Sequence, residues 1–150
     1  MTQVASLTSS TSRYGLPLLF SGQSQKEFTV NEALARLDLL THPAVEQELA
    51  DPPPNPSAGD CYIVGTSATG DWAGHDASLA GWDGTQWTFV EPRDGMAIRC
   101  LSDGSLRQYS GGWQGYSAPL DPHGGSTVDI EARTAIAELI TLLKAFGIFS

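Results

Sequence analysis

Residue types that could carry out catalysis are few in this sequence and form no pattern. The three histidines, His42, His75 and His123, each lie beside a Pro, Gly or Asp in a predicted loop. A catalytic histidine needs an acid and a nucleophile that converge on it, and no spacing pairs such residues here. Two cysteines and three loop histidines also supply too few ligands for a zinc site. We therefore predict no enzyme activity, no metal and no cofactor; a hydrolase would require His75 to meet acids from distant loops.

Tryptophan is the residue type whose placement suggests binding. Trp82 and Trp87 bracket Asp83-Gly84, and alternation along a hairpin puts both rings on one face with Phe89. We expect these rings to form the core of a small sheet, because each buries roughly 150–250 Å². The alternative is a platform that stacks on neutral sugar rings. Its candidate residues are Trp72, Trp82, Trp87, Tyr109 and Trp113.

The charge balance narrows the choice of partners. Seventeen acids against eight bases give a formal net charge of −9, which repels phosphate backbones and anionic lipid headgroups. No run approaches the roughly 18 apolar residues of a membrane span, and the first residues lack the basic start and apolar core of a signal peptide. We expect synthesis in the cytoplasm, no nucleic-acid binding and no membrane insertion.

The middle of the chain, 60–116, is typical of a small antiparallel β-meander, barrel-like in size. Asp83-Gly84 and Asp103-Gly104 are strong hairpin signals between strand-like runs. A two-residue loop at Asp83-Gly84 would pair Trp82 with Thr85. Cys61 and Cys100 each lie in an apolar strand-like run, and buried thiols are expected there rather than a disulfide.

Before this domain we predict an N-terminal arm with an apolar anchoring segment (1–23), an N-terminal helix (24–50) and a stiff Pro-rich spacer (51–59). The alternative for 51–59 is a long loop that crosses the domain surface. Ser24 and Glu27 form a capping box, and the helical pattern runs to Leu40. The main apolar stripe of the helix is expected to be buried; it comprises Val30, Ala33, Leu34, Leu37 and Leu40. The residues expected to anchor the segment to another surface are Leu16, Leu18, Leu19, Phe20, Phe28 and Leu39.

A linker (117–126) and a C-terminal helix (127–150) follow, which makes the fold class α+β. The helix starts near Thr127 or Asp129 and ends with Gly147 at a left-handed cap, where Ile148 folds back on Leu143. Apolar spacings of four and three along it form an a/d seam, which packs either on its own domain or on equivalent helices of other copies. The candidate interface residues are Ala132, Ile136, Leu139, Ile140, Leu143, Phe146 and Phe149.

The order of motifs Q-x-Q-K, N-E-A-L, G-D-x-Y-I-V-G and T-G-x-W-A-G between Leu16 and Trp113 resembles an uncharacterised domain family. This domain of unknown function occurs in tailed phages, prophages and gene-transfer agents, and is often described as a tail-fibre or spike component. Members often carry histidines within Q-K-x-x-T-x-N-E-A-L. Those positions here hold Glu27, Phe28 and Val30, so no metal role is carried over.

The resemblance implies a structural or adaptor subunit of a virion, in a tail fibre, baseplate or spike. It also implies assembly with itself, as a homotrimer, and with other virion or tail proteins. A contribution to host attachment would follow from that location. The alternative is a carbohydrate-binding module that recognises host capsule or lipopolysaccharide through exposed aromatic residues.

Overall fold

The computed structural model describes residues 9–22, 24–125 and 128–149. This part of the chain contains two α-helices and eight short β-strands, which confirms the α+β class. The chain divides into two compact units, Met1–Pro92 and Arg93–Ser150. The strands predicted as one domain over 60–116 are therefore divided between the units. The possible helix start at Thr127 lies outside the described residues.

Unit 1 contains one helix and five strands. They are α1 (Lys26–Leu40), β1 (Ala44–Val45), β2 (Glu48–Leu49), β3 (Cys61–Val64), β4 (Leu79–Trp82) and β5 (Trp87–Val90). A sheet has the order β2-β3-β4-β5, in which β2 and β3 are parallel and the other pairs are antiparallel. The Pro-rich stretch 51–59 was expected to be a spacer. It is instead the loop between the parallel strands β2 and β3, and Gly59 N–H donates to Trp82 O at 2.8 Å.

The sheet of unit 1 is covered on both faces. Trp72, from a 3-10 turn at Gly70–Trp72, packs on one face with Tyr62 and Ala80. On the other face, α1 approaches β4 closely because Gly81 has no side chain. A Cβ at Gly81 would lie 2.9 Å from Leu39 Cδ1, so any larger residue there would require the Leu39 side chain to shift.

The orientation of α1 differs from the predicted one, although Leu34 and Leu40 of the expected stripe are half-buried. Val30, Ala33 and Leu37 of the expected buried stripe are exposed, and Leu37 is 54% exposed. Leu39, on the opposite side, is buried together with the polar residues Glu27 and Asp38. The helix therefore turns its polar side inward and an apolar stripe outward.

The inward side of α1 holds the N-terminal arm, residues 9–22, through its backbone. Asp38 accepts hydrogen bonds from the backbone N–H groups of Arg13 (2.9 Å) and Tyr14 (2.8 Å). Asn31 accepts from Leu19 N–H at 2.8 Å and donates to Leu19 O at 3.1 Å. Polar side chains, rather than the apolar ones expected, thus supply the specific contacts of the arm.

The predicted capping box at the start of α1 is wrong. The helix begins at Lys26, and its N-cap, Gln25, has a left-handed backbone (φ 65°) with no side-chain cap bond. Glu27 Oε1 instead accepts from Gly22 N–H at 2.9 Å. A side chain expected to cap its own helix is used to hold the arm.

The β4–β5 hairpin has the predicted faces but a different register. Trp82 pairs with Trp87 and Ala80 with Phe89, so the loop contains four residues. Asp83 Oδ1 accepts from the N–H groups of Thr85 (2.7 Å) and Gln86 (2.8 Å). This side-chain turn lengthens the loop by two residues, and a shift of two keeps every side chain on its expected face.

Unit 2 contains β6 (Ala97–Cys100), β7 (Leu106–Tyr109), β8 (Trp113–Gly115) and α2 (Ile130–Ala145). The strands pair antiparallel in the order β6-β7-β8, as predicted. Across the described residues, the sheets stay open and no barrel closes. Asp129 caps α2, because its side chain accepts from Ala132 N–H at 2.8 Å.

The end of α2 is fixed to β6 and β7 by the predicted glycine cap. Gly147 has φ 73°, and Ile148 N–H donates to Leu143 O at 2.9 Å. Arg99 Nη1 donates to Phe146 O at 3.0 Å, and Leu106 N–H donates to Gly147 O at 2.5 Å. The cap thus joins α2 to the sheet of unit 2.

Two expectations from composition can be compared with the fold. Among the described residues, neither helix is long and apolar enough to cross a membrane. Cys61 and Cys100 are buried thiols and are not joined in a disulfide, in agreement with the expectation. Burial raises the pKa of Cys61 to about 12, so its thiol is protonated at neutral pH.

Replacement of Asp38 by alanine tests the attachment of the arm. Asp38→Ala leaves the N–H groups of Arg13 and Tyr14 without their acceptor, so we expect a loss of about 1–3 kcal/mol in unfolding free energy. Urea denaturation measures the loss, and hydrogen exchange should quicken at those two amides. Glu32→Ala, which removes an exposed carboxylate from the same helix, should cost less than about 0.5 kcal/mol. Unchanged exchange at Arg13 and Tyr14 would contradict this account.

Replacement of Gly147 by alanine tests the end of α2. A Cβ there would collide with Arg99 Nη1 and Gly104 O, in addition to the strain of a positive φ. We expect Gly147→Ala to lower the unfolding free energy by about 2 kcal/mol or more. Gly111→Ala is the matched control, because Gly111 has φ 63° and no neighbour within 4 Å of a Cβ. It should cost only about 1 kcal/mol, and equal losses for the two variants would refute the collision.

Candidate functional site

Three of the predicted platform tryptophans lie in unit 1 and contact one another. Trp87 lies 5.1 Å from Trp72 and 4.9 Å from Trp82, measured between ring centroids. Tyr62 lies 5.7 Å from Trp72, and burial raises the pKa of its hydroxyl to about 12, helped by the nearby Asp60 carboxylate. The rings form an edge-packed aromatic cluster of the kind that organises a small core.

The position of Trp72 corrects one part of the glycan hypothesis. Trp72 is 0% exposed, so its ring offers no face to a ligand, and its Nε1 has no hydrogen-bond partner among the residues that the structure describes. Trp82 and Trp87 are half-buried. Tyr109 and Trp113 form a separate pair in unit 2, with centroids 5.3 Å apart. For these four rings the platform stays a prediction.

Unit 1 also contains a groove of about 800 Å³, which is referred to below simply as the groove. Its walls are the arm, the inward side of α1 and the β4–β5 hairpin, and Trp82 lies in the hairpin wall. Phe20 and Phe28 line it and are both exposed. This volume falls within the roughly 300–1,000 Å³ that is usual for ligand sites.

The groove is acidic. Its described lining includes five carboxylates, Glu27, Glu32, Asp38, Asp60 and Asp83, and one basic side chain, Arg13. Burial alone would raise the pKa of Asp83, but hydrogen bonds from Gln86 and Thr85 outweigh it and hold this pKa below its ordinary value. Asp83 is therefore ionised at neutral pH.

The single guanidinium of the groove's described lining, that of Arg13, donates hydrogen bonds to backbone carbonyls. Arg13 donates from Nη1 to Leu39 O and from Nη2 to His42 O, each at 3.1 Å. These bonds satisfy carbonyls at the end of α1, where cations are favourable. Arg13 therefore has a structural role at the C-terminal end of α1.

A second surface with binding potential is the apolar stripe on α2, defined by Ala132, Ile136, Leu139 and Phe146. All four residues are exposed, and Leu139 and Phe146 are 57% and 72% exposed. Leu143 and Phe149 are half-buried. Ile140, predicted at an interface with other copies, is instead buried within the chain.

The predicted anchoring residues have mixed positions. Leu16, Leu18 and Leu19 are half-buried on the arm, and Leu39 is buried. Phe20 and Phe28 stay exposed, and Phe28 is the more exposed of the two at 70%. The segment thus lies on its own helix, and only the two phenylalanines remain available to a partner.

The histidines occupy separate environments. The ring of His75 stacks on Phe89 at 3.8 Å, while His123 Nδ1 lies 2.9 Å from Asp121 O. His42 is exposed after α1. In the part of the chain that the structure describes, no three His, Cys, Asp or Glu side chains form a group that could hold a metal ion.

The polar residues of α1 were missed at the level of the sequence. Glu27, Asn31 and Asp38, spaced by four and seven residues, have the pattern of a solvent-facing stripe. A signal was present in the adjoining arm, whose backbone donors needed acceptors and whose sequence predicted no regular structure to supply them.

Comparisons with known proteins give a family and no function. Searches of curated proteins and of solved structures returned no match. A family model, Protein of unknown function (DUF2793), matches residues 30–114, from α1 into β8. The arm and α2 lie outside the matched range. Because the match covers more than half of the sequence, the chain belongs to the DUF2793 family.

Proposed function

We propose that this protein is a homo-oligomeric structural subunit of a phage-like particle, in a tail fibre, baseplate or spike. The observation that carries the proposal is the apolar stripe on α2, which a single chain leaves exposed. That the subunit belongs to a phage-like particle is inferred from the motif resemblance. Location in the virion and a contribution to host attachment are parts of the same proposal.

The stripe is large enough to drive association of copies. Burial of a Leu, Ile or Phe side chain contributes roughly 1.5–3 kcal/mol, and each copy offers Ile136, Leu139 and Phe146. For two or three copies, the summed free energy of burying these side chains would exceed the lower part of the 4–15 kcal/mol that association costs. The stripe carries no charge, so like copies meet without the repulsion expected elsewhere on a chain of net charge −9.

The apolar pattern of α2 does not determine how many copies assemble. Two heptads are too short to fix the number of helices in a bundle. Three copies follow from the resemblance, because fibres and spikes of virions are often trimers. The outward stripe of α1, with Val30, Ala33 and Leu37, is a second apolar surface for other proteins of the particle.

Substitution of Leu139 tests the role of α2. Leu139 is exposed in the single chain, so Leu139→Asp should leave the fold intact and place a charge in the interface between copies. We expect the association constant to fall roughly 100-fold or more. Light scattering coupled to gel filtration should then give the 15.9 kDa mass of one chain.

Thr141→Asp is the matched control, since Thr141 is exposed on the side of α2 away from the stripe. It adds the same charge to the same helix and should leave the oligomer mass unchanged. A wild-type protein that stays a monomer at micromolar concentration would refute the proposed assembly.

A further inference from the structure

The groove of unit 1 combines a ligand-sized volume with exposed aromatic faces. Phe28 and Phe20 line it, and they are 70% and 41% exposed. Phe28 is on α1, while Phe20 is on the arm that the same helix holds through Asn31 and Leu19. The backbone that carries each ring is therefore held by hydrogen bonds, and an aromatic face held in this way is suited to cation–π contact.

The negative charge of the groove is not cancelled by its own hydrogen bonds. Asp38 and Asp83 accept from backbone N–H groups, and Asp60 accepts from Ser57 N–H and the hydroxyl of Tyr62. These donors are neutral, so they orient the carboxylates and leave their charge in place. Glu32 differs, because Arg36 neutralises it at 2.7 Å.

We propose that the groove binds a basic peptide segment of a partner protein, with Arg or Lys side chains over Phe28 and beside Asp83. A cation gains from both features at once: the ring quadrupole of an exposed aromatic residue and the carboxylates of the hairpin wall. This site does not depend on assembly through α2, and it identifies the unlike partner by its charge.

Charge complementarity favours a basic peptide over the other possible occupants of the groove. A second copy of the chain, at net charge −9 and without a cluster of basic residues, has no segment that fits an acidic groove. Phosphorylated and other anionic ligands are repelled. A neutral glycan would use Trp82 and the polar lining but would gain nothing from the net negative charge.

The test is a titration with a short fluorescein-labelled peptide of alternating arginine and serine, followed by fluorescence anisotropy at low ionic strength. Phe28→Ala and Asp83→Asn should each raise the Kd about three- to tenfold. Asparagine keeps the side-chain oxygen that accepts from Thr85 and Gln86, so the hairpin loop is retained. Added salt should weaken binding, and a peptide with glutamine in place of arginine should not bind.

Two control variants separate the groove from general attraction to an acidic protein. Leu37→Ala truncates an exposed residue on the other side of α1. Asp94→Asn removes the same single charge from a loop of unit 2, where Asp94 is exposed and accepts from Gly111 N–H at 2.9 Å. Both controls should change the Kd less than twofold, and circular dichroism verifies the fold of each variant.

Three results would overturn the proposal. The first is no binding of the arginine peptide. The second is an equal loss of affinity in Asp83→Asn and Asp94→Asn with no effect of Phe28→Ala, which would mean attraction to the whole surface. The third is displacement of the peptide by maltopentaose together with direct binding of that sugar, which would assign the groove to glycans. None of these results bears on the oligomer mass, so the two proposals fail separately.

Discussion

The need of the arm's backbone for hydrogen-bond acceptors determines the arrangement of unit 1. A buried N–H group without an acceptor costs about 1–3 kcal/mol, which is comparable to the gain from burying one leucine. Asp38 and Asn31 meet this need for Arg13, Tyr14 and Leu19. Because both side chains lie on one side of α1, that side must face inward, and Leu37 on the other side must face outward.

The two candidate surfaces suit different kinds of partner. The stripe on α2 is apolar and uncharged, so it favours contact with a surface like itself. The groove is acidic and lined by exposed aromatic rings, so it favours a surface of opposite charge. The proposed subunit would use the first surface among its own copies and the second to attach to an unlike partner.

The elements that depend on local chemistry could be predicted, and those that depend on distant contacts could not. Asp83-Gly84 and Asp103-Gly104 located two hairpins, and Gly147 located the end of α2, because turns and caps follow from a few neighbouring residues. The orientation of α1 depends on an arm more than ten residues away. The groove depends on three separate segments, so no short motif could indicate it.

Gly81 has a consequence for how this domain can vary. The absence of a side chain at Gly81 leaves the space that Leu39 Cδ1 occupies, so the end of the helix and the hairpin fit each other at this contact. On another scaffold, the hairpin would expose this stretch of backbone, and the helix alone would meet a side chain where Leu39 now fits. A substitution at either position therefore favours a compensating change at the other, although about forty residues of chain separate them.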